Sequence, residues 1–268
     1  MSESNTNKKL TIRVGRNTLS FTTTDVTNRE QPIVYQPYIV KTGVSMAANL
    51  REAFKTTDVL ASGIQRVRVL IDGPVLLVPV EQFLEAEEEM LFGHSFPDST
   101  QLAVTHNVIP SLNAVAVFGI NKDLQLVIND RFDDVQWIYA ASPVWNYLHQ
   151  RSFTGHRSKL YAYFYDKQVS IFSFQQNRFK FCNVFEASQG HDALYFVLYV
   201  WKQLNLQPEH DELHVVGDIP EKEWLLGELR QYLQNAYVIN PSAEFNRAPA
   251  TQIAGMPFDL MTLFTKGR

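Results

Sequence analysis

The sequence predicts an α/β protein in which one folding unit is written twice. Three observations carry this. The phrase KLTIRVGRNTLSF at 9–21 has a counterpart, KLYAYFYDKQVSI at 159–171, which begins 150 residues later. Each phrase leads into a third strand-like run, then a helical pattern, then a further strand. A glycine, Gly43 in one half and Gly190 in the other, stands between the third strand and the helix. An order of elements repeated at matching spacing is the signature of an internal duplication.

In the first phrase Leu10, Ile12 and Val14 alternate with Thr11 and Arg13, a period of two that makes a half-buried strand. Gly15-Arg16-Asn17 turns the chain, and Leu19 and Phe21 share a face of the return strand. IVYQPYIV at 33–40 is the third strand. MAANLREAFKTTDVL at 46–60 places Met46, Leu50, Ala53 and Phe54 near helical spacing, with Ser45 as N-cap. RVRVLID at 66–72 is a buried strand. In the second phrase Leu160, Ala162 and Phe164 alternate, Asp166-Lys167 turns, and Val169 and Ile171 resume. RFKFCNVF at 178–185, the apolar helix DALYFVLYVWKQL at 192–204, the strand ELHVVGD at 212–218 and the amphipathic helix EKEWLLGELRQYLQN complete the set.

Between the halves, roughly 73–156, PVLLVPV, NAVAVFGI and QWIYAASP read as strands. EQFLEAEEEMLF, KDLQLVINDRF and VWNYLHQRS read as helices. The turn residues Thr154-Gly155-His156 mark the boundary, giving an N-terminal lobe 1–154 that includes the middle segment of about 73–154, and a C-terminal lobe 155–268. The tail after Pro241 ends in an apolar FDLMTLF, which is expected to dock because so apolar an end needs cover.

A chain of 268 residues allows one large domain or two modest ones. With 24 basic against 28 acidic side chains, a broad nucleic-acid surface and a polybasic membrane anchor are both disfavoured. One cysteine, Cys182, cannot form an internal disulfide, and its place among alternating aromatics predicts a buried, inert thiol. The polar start MSESNTNKK lacks a signal-peptide pattern, and no apolar window reaches the ~18 residues of a membrane helix. A cytoplasmic location without direct membrane insertion is therefore expected.

Two copies of a three-strand meander, helix, strand and helix resemble the actin-like ATPase architecture, related to the ribonuclease H fold. The second copy is similar to the type IV pilus assembly proteins of this fold. The whole chain resembles a bacterial family of the Bacteroidetes known as domain of unknown function 3822. The resemblance implies two lobes facing each other across a cleft, each with a mixed five-stranded-type sheet flanked by helices. It also implies where a nucleotide would be held. An Asp-x-Gly phrase in the first hairpin would carry a magnesium-holding aspartate, with glycine letting backbone amides approach phosphate. Here that phrase is Arg13-Val14-Gly15, and a guanidinium would repel a cation. The second hairpin should repeat it but reads Tyr163-Phe164-Tyr165, with Asp166 one step later. The Gly-Gly phrase expected after the last strand reads Val216-Gly217-Asp218.

Other constellations are sparse. His210 and His214 are four apart but straddle a loop and a strand entry, so a metal pair is not expected. Gln189-Gly190-His191-Asp192 opens a helix, whose N-terminus can hold an anion or simply start a helix with Asp192 in its first turn. No Gly-x-Ser-x-Gly or P-loop phrase occurs. The acidic run Glu85, Glu87, Glu88 and Glu89 reads as a solvated face, or as a contact for a basic partner.

The resulting expectation is a non-catalytic actin-like protein with a decayed nucleotide site, needing no cofactor and acting as a binding or scaffolding protein for a protein or peptide partner. Arg13 is the expected anion contact. If a nucleotide binds, Gly15, Asp166, Gly190, Gly217 and Asp218 are the expected contacts. The alternative is an ATPase or phosphotransferase with Asp166 or Asp218 holding magnesium under ATP. A homo-oligomer is the third class.

Overall fold

The computed structural model describes residues 8–25, 32–57, 64, 66–153 and 155–265. Residues 1–7 of the polar start, 58–60 of the first expected helix and Thr154 of the expected boundary lie outside them. The chain forms two compact units, Met1–Ser142 and Pro143–Arg268.

The first unit contains β1 (Lys8–Val14), β2 (Leu19–Asp25), β3 (Ile33–Tyr38), α1 (Met46–Thr56) and β4 (Arg66–Ile71). An insertion follows, made of β5 (Val75–Pro79), α2 (Glu88–Ser95), β6 (Leu102–Ile109) and β7 (Ala114–Asn121), before α3 (Lys122–Asn129) and β8 (Asp134–Tyr139). The main sheet has the order β3-β2-β1-β4-β8, and β5-β7-β6 form a separate antiparallel sheet. Ser45 caps α1 as expected, accepting the Ala48 N–H at 3.2 Å. Buried Asn49 shapes the preceding loop, donating to the carbonyls of Lys41, Val44 and Ser45 and accepting from Lys41 N–H. Phe21, Phe54 of α1 and Phe132 pack in a row over the β1–β2 face, with centroids 6.4 and 5.8 Å apart.

The second unit contains α4 (Ser142–Ser152), β9 (Lys159–Tyr165), β10 (Gln168–Gln175), β11 (Arg178–Glu186), α5 (Gly190–Gln203) and β12 (Glu212–Gly217). It ends with α6 (Lys222–Tyr232), β13 (Ala236–Val238), α7 (Pro241–Glu244) and α8 (Phe258–Thr265). Its sheet order, β11-β10-β9-β12-β13, repeats that of the first unit strand for strand. In both, the first three strands are antiparallel and the last three parallel. The match extends to single hydrogen bonds: Asp72 N–H donates to Val14 O at 3.0 Å, and Asp218 N–H to Phe164 O at 2.9 Å. Leu160, Ala162, Val169, Ile171 and Val215 form the core under α5 and α6.

The units divide between Ser142 and Pro143, earlier than the expected 154/155 boundary. The reason is α4. Trp145 stacks edge-on against Phe179 at 5.2 Å, and the His149 ring bonds Gln176 O at 2.9 Å, so this helix belongs with β10 and β11. The helix expected over 81–92 is shorter and later, because Phe83 and Leu84 are extended. Phe83 thereby reaches the His106 ring at 4.8 Å and joins the cluster around Phe92. The apolar tail docks within its own unit: Phe258 packs on Tyr147 and Tyr163, each at 6.1 Å. Among the described residues no helix is long and apolar enough to cross a membrane.

On the β9–β12 face, His214 lies between Tyr161 and Tyr237 and bonds Glu212 at 3.0 Å. Burial holds its pKa below the ordinary value, opposed by Glu212 and reinforced by Arg151 and Lys159. The unfolded chain therefore binds more protons just below pH ~6.5, so stability rises with pH there and is lost on acidification. Urea melts over this range should show wild type losing more stability than His214→Gln; equal slopes would contradict the assignment.

Candidate functional site

The parallel strands β9 and β12 end side by side, with Phe164 registered against Gly217. Asp166 follows β9 directly, and Asp218 follows β12. Both α5 and α6 begin at the same end of the sheet, because each descends between two ascending strands. The Gly190 N–H of α5 donates to Glu221 Oε1 at 3.0 Å. Asp166, Gly190, Gly217 and Asp218 thus come to the carboxyl end of the second sheet, where open α/β sheets place ligands. Gly15 and Arg13 lie in the first unit.

The local chemistry of that end is determined by the chain's own groups. Tyr163 and Tyr165 are buried and stack at 4.7 Å, and the Tyr163 hydroxyl donates to Asp259 Oδ2 of α8 at 3.1 Å. Asp166 and Lys167 have φ of 45° and 63°, the two left-handed residues of a tight hairpin turn. The Lys167 carbonyl accepts from Ala187 N–H at 2.9 Å, tying the turn to the end of β11. Gly217 has φ +100°, and a β-carbon there would lie 2.0 Å from Phe164 O. The glycine is required by the approach of β9, with no ligand invoked.

At the start of α5 a β-carbon on Gly190 would meet the Trp224 ring at 2.7 Å, and the His191 ring packs on Trp224 at 4.2 Å. The Glu221 carboxylate stands where an anion would meet the helix N-terminus. Glu221→Ala should cost about 1 kcal/mol, the scale of a lost N-terminal cap. Glu221→Gln, which keeps the acceptor, should lose less. Equal losses in thermal melts would contradict the capping role.

In the first unit Arg13 is 3% exposed, and its Nη1 donates to Thr18 Oγ1 at 2.8 Å. Gly15 N–H donates to Thr18 O at 2.8 Å, closing the β1–β2 turn. Thr11 is registered against Arg68, so Arg13 and Arg68 share a sheet face with buried Thr11, Ser20 and Thr22. Burial lowers the Arg68 pKa. Two guanidinium groups on one face oppose a cation there.

Cys182 is half-buried, short of the full burial the sequence predicts, and desolvation pushes its thiol up to about 12. His214 pairs with Glu212, and His210 sits in a turn closed by its N–H to Gln207 O. Among the described residues no three His, Cys, Asp or Glu side chains converge as metal ligands. Sequence reasoning missed Glu221, whose signal is its place four residues after Gly217, and Asp72, which follows β4 as Asp218 follows β12. It also missed the reach of Asp259 to Tyr163, for which the sequence holds no local signal.

A family model described as protein of unknown function, DUF3822, matches residues 2–236. A Bacteroides thetaiotaomicron VPI-5482 protein with actin-like ATPase fold and unknown function is 28% identical, covering 97% of this chain and 96% of its own, with a TM-score of 0.84. The PilM–PilN type IV pilus biogenesis complex is similar over 97% of this chain and 99% of the matched one, at 12% identity and a TM-score of 0.56, a likeness of fold alone. No curated protein matches significantly. The repeated sheet order and these neighbours make the fold actin-like, with two five-stranded sheets and a small third one.

Proposed function

This chain belongs to the DUF3822 family of proteins of unknown function, and for it we propose a non-catalytic role: a binding or scaffolding protein whose nucleotide site has degenerated. The observation that carries the reading is the Tyr163–Tyr165 stack, held by Asp259. A phosphate loop needs open backbone amides at the second hairpin. Two buried aromatic rings and a helix of the same chain stand on that strand instead. The Arg13 guanidinium, bonded to Thr18, cannot hold the magnesium of a nucleotide. Glu221 at the α5 N-terminus supports the same reading, because a phosphate would have to displace a carboxylate.

A protein or peptide is the partner class. The PilM–PilN complex offers the analogy, which rests on fold and not on residues. The second reading is an ATPase or phosphotransferase with magnesium on Asp166 or Asp218. It is favoured by one observation, that these two carboxylates follow adjacent strands at the carboxyl end of the sheet, where open α/β sheets place ligands.

Thermal melts with and without Mg-ATP separate the two. A ligand at 100 times its dissociation constant adds about 2.7 kcal/mol. The non-catalytic reading expects no shift. An upward shift abolished by Asp166→Ala would overturn it in favour of the enzyme. Light scattering at rising concentration tests self-association.

A further inference from the structure

Between Arg68 and Lys122 the chain has no lysine or arginine, yet it carries two aspartates and five glutamates. The stretch therefore holds −7, and the remaining chain, with 24 basic against 21 acidic side chains, holds +3. This is the sequence that builds β5, α2, β6 and β7, the insertion that the second unit lacks. The acidity of the chain is concentrated in one structural module.

That module also exposes apolar side chains. Inside it, Phe92 is fully buried against Val78, Val115 and Val117, with Phe83 and Phe96 alongside. Phe83 turns inward, while Leu84 beside it, also extended, is left outside. Val80, Leu84 and Met90 are 43, 59 and 53% exposed within eleven residues, and Val108 of β6 is 54% exposed. Glu81, Glu85, Glu87 and Glu89 are exposed among them, and Glu88 pairs with His106 at 2.6 Å. A face that is merely solvated needs the carboxylates but not the large apolar groups. Single exposed apolar residues are ordinary; three interspersed with four exposed glutamates over positions 80–90 are groups that water serves poorly and a cationic amphipathic partner serves well.

We infer that this face docks a basic amphipathic segment of a partner protein, a helix with an apolar stripe flanked by lysine or arginine. The stripe covers Val80, Leu84 and Met90, and the cations meet the glutamate rim. Charge complementarity steers the encounter, and burial of the apolar groups holds the complex. A second copy of this chain is a poorer occupant. Its excess positive charge outside that stretch is only +3. The edge strands β3 and β11 of the main sheets also resist strand pairing. Pro37 stands on β3 where the alternation set by the Asp25 N–H to Pro32 O bond turns backbone outward. On β11 the register shift opposite Ser173 and Phe174 leaves Lys180 out of the ladder.

The inference rests on the reading of the chain as a binding protein, but its test involves no nucleotide and fails separately. The probe is a fluorescent lysine–leucine amphipathic peptide of about sixteen residues, some four helical turns. Its control is a scrambled peptide of equal composition, and anisotropy is read on the full chain. The amphipathic peptide should bind saturably and about tenfold tighter than the scrambled one, with affinity falling as salt rises. Leu84→Ser with Met90→Ser should remove that preference. Glu85→Gln, Glu87→Gln and Glu89→Gln together should flatten the salt dependence. All are exposed positions, and unchanged melting temperatures confirm folded variants. Equal binding of both peptides, or binding indifferent to the Leu84 and Met90 changes, would mean a polycation sink and overturn the proposal. A dimer of the wild type that Leu84→Ser with Met90→Ser dissociates would assign the face to a second copy and overturn it too.

Discussion

Alanine at Gly217 should lower the melting temperature by on the order of 10 °C, from a loss of about 3 kcal/mol. The residue has φ +100°, and a β-carbon would sit 2.0 Å from Phe164 O and 3.0 Å from Phe164 C. That oxygen already accepts from Asp218 N–H, so it cannot retreat without loosening β12 from β9. Gly227 is the control. It lies in α6 with nothing within 4 Å of an added β-carbon. Gly227→Ala should stabilise by up to about 1 kcal/mol through helix propensity. A Gly217→Ala protein as stable as wild type would return the glycine to ligand approach, and with it the nucleotide reading.

Phe92→Ala should cost about 3–5 kcal/mol, the range for a large aromatic removed from a packed site. The effect should be local. The cluster around Phe92 is small and sits wholly within the insertion, apart from the core under α5 and α6. Hydrogen exchange should therefore show faster opening of α2 and β6 while β9, β10 and β12 stay protected. The acidic docking face should lose its peptide preference as α2 loosens. Uniformly faster exchange across both units would contradict a separate module.

The duplication was legible because it rests on period-two strands and their order. Leu10, Ile12 and Val14 match Leu160, Ala162 and Phe164 in alternation, and the sheets they found share one topology. What stayed illegible depends on contacts distant in sequence. β6 carries Thr105, His106 and Asn107, which spoil its apolar alternation. Asn107 instead bridges to β8, donating to Trp137 O at 2.9 Å and accepting from Tyr139 N–H at 2.7 Å. β13 has three residues, too few to show a period. The glutamate run reads as helix from 81 because composition favours it, yet Phe83 packs half-buried against the His106 ring with extended backbone. At the candidate site the departures at Arg13 and Tyr163 were visible in the sequence. The long-range contacts there were not: Glu221 reaches Gly190 across 31 positions, and Asp259 reaches Tyr163 across 96.

The central claim is that these internal groups leave no place for a nucleotide's phosphates. Isothermal titration of millimolar Mg-ATP into the wild-type chain tests it most directly. The account predicts dilution heats alone. A saturable one-to-one isotherm, with dissociation in the micromolar range or about −8 kcal/mol, would contradict it.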